Sequence, residues 1–245
     1  MSYSIIKLDA IDSTNDFLKD LGRSRMLDNF TVVCATRQTK GKGQMGAKWE
    51  SESGKNITVS ILIKNLITNI ADIYVVNIAI ALSIIAVLEQ FKIDNLAIKW
   101  PNDIMAGSKK IGGILIENSI KADKNIESVV GIGLNVNQVI FYDLVKATSM
   151  ALILGHEVNL DIIIAKIVTE IQFNYNNIVA HKEYDLWLLY HKNLFKINVP
   201  IAFENTRKQQ FMGIIQGVTK TGKLQVLDDN DAIKLFGIKE IKMLF

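Results

Sequence analysis

The stretch TKGKGQMGAKW, Thr39–Trp49, places Gly41, Gly43 and Gly46 in a G-x-G-x-x-G spacing. Dinucleotide-binding loops share that spacing with unrelated tight turns, and the fold depends on which one this is. A dinucleotide loop needs a strand before it, a helix directly after it and an acidic residue about 20 residues further on. The strand is there: FTVVCATR (Phe30–Arg37) is apolar and β-branched. The helix is missing, because AKWESESGKN is polar and turn-rich and ITVSILIK (Ile57–Lys64) reads as a second strand. That strand runs into Lys64 and Asn65, so the acid is missing too. The unit is therefore strand–loop–strand. Glycines let backbone N–H groups turn toward a ligand at close range. Lys40, Lys42 and Lys48 add positive charge, and Trp49 adds a flat ring. This set suits an anion, either a phosphate or a carboxylate. A plain hairpin loop with solvated lysines has the same composition.

The chain of 245 residues is long enough for one core with a small second domain. Its composition, 49% hydrophobic and 22% charged, is that of a globular protein. A net charge of +3 is too small to argue for a nucleic-acid partner. The single cysteine, Cys34, excludes an intramolecular disulfide, and its apolar strand suggests a buried, inert thiol. His156, His181 and His191 are scattered and give no zinc spacing, so no metal ligand is assignable. MSYSIIKLDAIDS has no basic segment followed by a long apolar run, so no secretory signal is expected and the natural location is the cytoplasm. IYVVNIAIALSIIAVL (Ile73–Leu88) is almost wholly apolar, but it is shorter than the roughly 20 residues of a membrane span. Asn77 and Ser83 interrupt it, and a buried helix is the expected reading.

Along the chain, SIIKLD (Ser4–Asp9) predicts a strand. DSTNDFLKDLG predicts a helix with Ser13 or Thr14 as its cap and Gly22 as its stop. The buried helix is expected from about Asp72 to Phe91. LAIKW, KIGGILIE and IESVVGIGLNVN read as neighbouring strands. From Tyr142 to about Leu194 the pattern is helical, with Asp161 as a cap. The remainder, from about Lys196, reads as four or five short strands. Their turns are expected at Glu204–Arg207, Thr221–Gly222 and Asp228–Asp231.

Four further stretches carry the chemistry: DSTN (Asp12–Asn15), KWPNDI (Lys99–Ile104), KKIGGILIE (Lys109–Glu117) and GIGLNVN (Gly131–Asn137). Together with RQTKGKGQMGAKW, their order and spacing resemble the biotin protein ligase family over nearly the whole chain. The resemblance implies an α+β fold, with a mixed sheet and flanking helices like class II aminoacyl-tRNA synthetases. It also implies a small C-terminal SH3-like β-barrel, with the division at residues 1–194 and 195–245. It implies that biotin and ATP, with Mg²⁺, form biotinyl-5′-adenylate, and that the biotinyl group then passes to a lysine of a biotin carboxyl carrier protein. A homodimer stays open.

Biotin has a neutral ureido ring, an apolar bicycle and a carboxylate tail. Ser13, Thr14, Asn15 and Gln38 offer neutral donors and acceptors for the ring, and in the family these motif positions hold it. Ser13 and Thr14 serve equally as a plain helix cap. The acid's carboxylate must attack the α-phosphate of ATP, so two anions have to be neutralised and aligned. Lys42 and Lys110 are the expected cations. A carboxylate nucleophile needs no general base, but the acceptor lysine of the second step is protonated at neutral pH. Asp103 is the candidate to orient or deprotonate that lysine. Alternatively, Asn102 and Asp103 satisfy backbone groups in the turn after Pro101. The family pattern adds Gly41, Gly43, Gln44, Trp49, Gly112, Gly113 and, on the nucleotide side, Asn135. Many relatives carry arginines where this chain has Lys42 and Gln44, which puts tight retention of the adenylate in question. A lipoate ligase of the same fold is the nearest alternative, and a non-catalytic biotin-binding regulator is another. A DNA-binding repressor is not expected, since DSTN begins at Asp12 and leaves no room for a helix-turn-helix before it.

Overall fold

The computed structural model describes residues 3–67, 69–121, 125–142 and 144–245. Met1 and Ser2, which begin the stretch read for a signal, lie outside the described residues. Seven strands form the main sheet: β1 (Ser4–Ile11), β2 (Thr31–Gln38), β3 (Ile57–Lys64), β4 (Leu96–Lys99), β5 (Asp103–Ala106), β6 (Lys109–Ile120) and β7 (Ile126–Leu134), in the order β1-β2-β3-β7-β6-β5-β4. Only β1 and β2 pair in parallel. Their crossover is the helix α1 (Thr14–Ser24). β2 and β3 pair antiparallel, which bears out the strand–loop–strand reading of the glycine stretch.

The two faces of the sheet differ. Alternation along the strands sends Val32, Val59, Ile61, Val130 and Ile132 into the large core beneath α2 (Tyr74–Gln90) and α4 (Leu160–Val179). Val33, Leu62 and Val129 point the other way and pack with Leu18 of α1. α1 covers only part of this second face. Beside it the sheet carries Gly113, Gly131 and Gly133, and a cavity takes the uncovered area.

Several boundaries shift from those predicted. Ser13 does cap α1, accepting from the Asp16 N–H, but the helix runs through Gly22 to Ser24, since a lone glycine weakens a helix without ending it. Asn159, not Asp161, caps α4, and Asp161 lies in its first turn paired with Lys7. Among the described residues, the stretch read as helical from Tyr142 supplies only α3 (Met150–Leu154), α4 and α5 (Glu183–Lys192). β5 was not predicted, because four residues between two turns carry too little pattern. No helix among the described residues is long and apolar enough to cross a membrane.

A second, antiparallel sheet follows. It holds β8 (Pro200–Asn205), β9 (Gln210–Val218), β10 (Leu224–Asp228), β11 (Ile233–Phe236) and β12 (Ile241–Leu244), in the order β11-β10-β9-β8-β12. The pairing is that of an open sheet, with β11 and β12 as its edges. Phe203, Ile215, Leu224 and Val226 belong to the same continuous core as α2. Polar contacts also tie this sheet to the rest of the chain. The Trp100 indole N–H donates to the Gly222 carbonyl (2.9 Å), and His191 Nε2 accepts from the Val218 N–H (3.0 Å).

Candidate functional site

The glycine stretch closes on itself as a small hairpin. Lys42 and Lys48 form a bridge pair, Gly43 N–H donates to Ala47 O (2.7 Å), and Trp49 N–H donates to Gly41 O (3.0 Å). A Cβ on Gly41 would lie 2.2 Å from the Trp49 carbonyl oxygen, so only glycine fits there. The hairpin is moored to acids at the start of α1. Lys40 pairs with Asp12 (2.8 Å) and Lys42 with Asp16 (2.5 Å). Its tip is held from the second sheet by Lys239, which donates to Met45 O (2.6 Å). Two of the three lysines expected to lend free positive charge are thus already in ion pairs. Hydrogen bonds from Lys40 and Thr39 lower the Asp12 carboxyl below the usual carboxylate range. Burial opposes ionisation of Asp16, yet hydrogen bonds from Lys42 and Lys19 outweigh it and hold that carboxyl low as well.

The hairpin roofs a cavity of about 270 Å³. At one end stand Ser13, Thr14, Asn15 and Gln38. Gln38 Oε1 accepts from the Thr14 N–H (2.8 Å) and hydroxyl (3.0 Å), which leaves its amide nitrogen as a donor for a ligand. Ser60 Oγ lies 2.7 Å from Thr14 Oγ1 and 2.6 Å from Asn15 Oδ1. This end is neutral and hydrogen-bonding. Lys42, Gly43, Gln44 and Trp49 line the roof, and Gly113, Gly131 and Gly133 line the floor.

The other end is charged. Lys110 Nζ lies 2.5 Å from Asp103 Oδ1, and Lys99 Nζ lies 3.2 Å from Oδ2 of the same carboxylate. Local sheet geometry explains the first pair. In the β5–β6 pairing, Ile104↔Gly112 is followed by Met105↔Lys110, so Ile111 is an extra residue. Such a bulge resets the alternation of a strand. Ile111 is fully buried in the core, and Lys110 reaches the cavity. Its ammonium also sits over the Trp49 ring, 5.6 Å from the centroid. Trp49 lies on the floor so closely that a Cβ on Gly133 would be 2.3 Å from the ring. Trp49 Nε1 and Gln44 Oε1 are buried without a hydrogen-bond partner, and both belong to residues that line this cavity. Orphaned polar atoms of this kind call for a partner in a working site.

The cavity therefore brings together Ser13, Thr14, Asn15, Gln38, Lys42, Gly43, Gln44, Trp49, Asn102, Asp103, Lys110 and Gly113. Three expected residues are elsewhere. Gly41 closes the hairpin on its outer side. Gly112 faces the core, where a Cβ would meet Gly133 O at 3.0 Å and Leu134 Cδ1 at 3.2 Å. Asn135 is buried and donates to Thr148 O (3.0 Å), so its amide supports the chain after β7 and does not line the cavity. Asn102 lines the cavity, but its amide donates to Ile114 O (2.6 Å), the backbone role open to it from the start. Gly131, Gly133, Leu115 and Thr58 were not anticipated. The period of two in GIGL offered the signal, since it sets both glycines on one face. Among the described residues, no group of three or more His, Cys, Asp or Glu could hold a metal ion.

Residues 8–137, which hold every wall of this cavity, match the model of the biotin/lipoate A/B protein ligase family. The chain belongs to that family. Within it, the chain is 27% identical to the bifunctional ligase/repressor BirA of Bacillus subtilis, over 99% of this chain and 75% of the relative. The fold superposes on the biotin protein ligase of Aquifex aeolicus in complex with biotin and ATP. The TM-score is 0.81 at 24% identity, with 98% of each chain covered. It also superposes on the Leishmania major biotin protein ligase in complex with biotinyl-5-AMP, with a TM-score of 0.65 at 20% identity over 96% of this chain and 98% of that one.

Proposed function

We propose that this protein is an ATP-dependent ligase that activates biotin as biotinyl-5′-adenylate and transfers it to a lysine of a biotin carboxyl carrier protein. One observation carries the reading. A single cavity has neutral hydrogen-bonding groups at one end and a lysine–aspartate pair at the other, which matches an acid with a neutral polar head and a reacting carboxylate tail.

The chemistry follows from the groups present. The head ring lies among Ser13, Thr14, Asn15 and Gln38. The carboxylate then extends toward Lys110, where it meets the α-phosphate of ATP. An ammonium has three donors. Lys110 spends one on Asp103, which fixes its position, and keeps others for the two anions that must approach each other. Lys42 is the second cation, and it shares itself between Asp16 and the ligand. In the transfer step the amine of the acceptor lysine attacks the adenylate carbonyl and AMP leaves. Asp103 orients that amine, since a carboxylate with two ammonium neighbours still has acceptor sites to offer. Mg²⁺ enters as the counter-ion of ATP and so belongs to the substrate. We further assign residues 195–245 as a second domain of SH3 type, beside the catalytic part at 1–194. Its five short antiparallel strands support that assignment.

Pyrophosphate exchange separates biotin from the alternative within the family. Exchange driven by biotin and not by lipoic acid is the expected result. Exchange driven by lipoic acid alone would make the protein a lipoate ligase.

A further inference from the structure

Asn15 is 3% exposed, and both ends of its side-chain amide are engaged. Its Nδ2 donates to Glu117 Oε2 (2.8 Å) and approaches Leu115 O (3.4 Å). Its Oδ1 lies 2.6 Å from Ser60 Oγ. Glu117 is also bound by Lys19 (2.6 Å), which in turn pairs with Asp16 (2.9 Å). A carboxylate and a carbonyl can only accept, so the side of Asn15 that faces Glu117 and Leu115 must be its nitrogen. The oxygen is thereby turned to the opposite side, toward the Gly131 floor, where a Cβ would lie 2.5 Å from it. Ser60 uses one lone pair of that oxygen and the other remains.

We propose that Glu117 is a positioning residue for head-group recognition. By taking the amide nitrogen of Asn15 it fixes the amide oxygen toward the cavity, and the site then selects an acid whose head carries N–H donors. Glu117 does not line this cavity. The proposal rests on biotin as the acid, because the ureido ring supplies such N–H groups and an apolar dithiolane head supplies none. Lys19 makes the arrangement stable, since it neutralises a partly buried carboxylate without competing for Asn15.

Glu117→Gln reads the orientation directly. The single amide oxygen of the new side chain is claimed by Lys19, so its nitrogen faces Asn15. Asn15 then turns its oxygen to that nitrogen and presents NH₂ to the cavity, donor against donor. The full-length chain and its variants are measured for biotin affinity by calorimetry, for KM and kcat in biotin-dependent pyrophosphate exchange, and for melting temperature. Glu117→Gln should weaken biotin binding and raise its KM by about tenfold, the size of one lost hydrogen bond with an unpaired partner. The kcat should stay within about twofold, as for an interaction equally present in ground and transition states. Asn15→Asp in the Glu117→Gln background restores an acceptor on both sides of residue 15 and should recover most of the affinity. Parental affinity in Glu117→Gln overturns the proposal, and so does a double variant that recovers nothing. No biotin binding by the parent overturns the functional reading and this proposal together.

Discussion

Lys110→Ala removes the ammonium at the charged end of the cavity. In the wild-type chain that group lies 2.5 Å from Asp103 and 5.6 Å from the Trp49 centroid, with its side chain 37% exposed. The loss for catalysis is large because the charge acts where two anions must come together. Preorganised donors of this kind are worth about 3 kcal/mol, on the order of a hundredfold in rate. The loss for stability is small, for a reason visible in the same geometry. Asp103 keeps Lys99 at 3.2 Å, so no buried carboxylate is left unpaired. A pair this exposed contributes about 1 kcal/mol or less, a few degrees at most in melting temperature for a chain of this size. The assay is biotin-dependent pyrophosphate exchange, alongside thermal melting of the same sample. A folded variant that exchanges pyrophosphate at close to the parental rate would refute the role given to Lys110.

Lys42→Ala should weaken biotin binding and loosen the hairpin, because its ion pair with Asp16 is lost; limited proteolysis of residues 40–48 with and without biotin and ATP checks the second part. Gly133→Ala should lift Trp49 from the floor, since the added methyl would sit 2.3 Å from its ring. Overpacking of this sort costs about 1–3 kcal/mol, and adenylation should fall more than the melting temperature implies. Asp228 titrates at about 2, held down by the hydrogen bond from Lys234 and the N–H groups of Ala232 and Asn230. Its folded value lies below the ordinary 3.8, so its contribution to stability is complete above pH 4 and is lost as the pH falls toward 2. Lys234→Met should shrink that acid limb in a pH series of unfolding curves.

The fold was legible where residue patterns are long. Ile57–Lys64 reads as a strand and is one, and the apolar run beginning at Ile73 reads as a buried helix and is α2. The missing helix after Trp49 was enough to set aside a dinucleotide fold. What stayed hidden depended on register or on distant partners. Lys110 was expected at the site from its motif, but the bulge at Ile111 that turns it to the cavity was not, since no local pattern announces an extra residue. Asn135 looked like a site residue by motif, yet its partner is a carbonyl at Thr148 across the following turn. Lys40 and Lys42 looked like free cations, and only the fold brings Asp12 and Asp16 beneath them. Gly131 and Gly133 stood in a quoted motif, but their use as a floor appears only when Asn15 and Trp49 are set against them.

Label transfer tests the proposed activity most directly. The protein is incubated with labelled biotin, ATP–Mg²⁺ and a biotin carrier domain, and the carrier is then isolated and mapped by mass spectrometry. The expected result is covalent biotin on one carrier lysine, dependent on ATP and slowed on the order of a hundredfold by Lys110→Ala. Biotinyl-adenylate formation with no label on the carrier would contradict the ligase reading, whereas transfer at the parental rate in the Lys110→Ala variant would contradict the role given to Lys110.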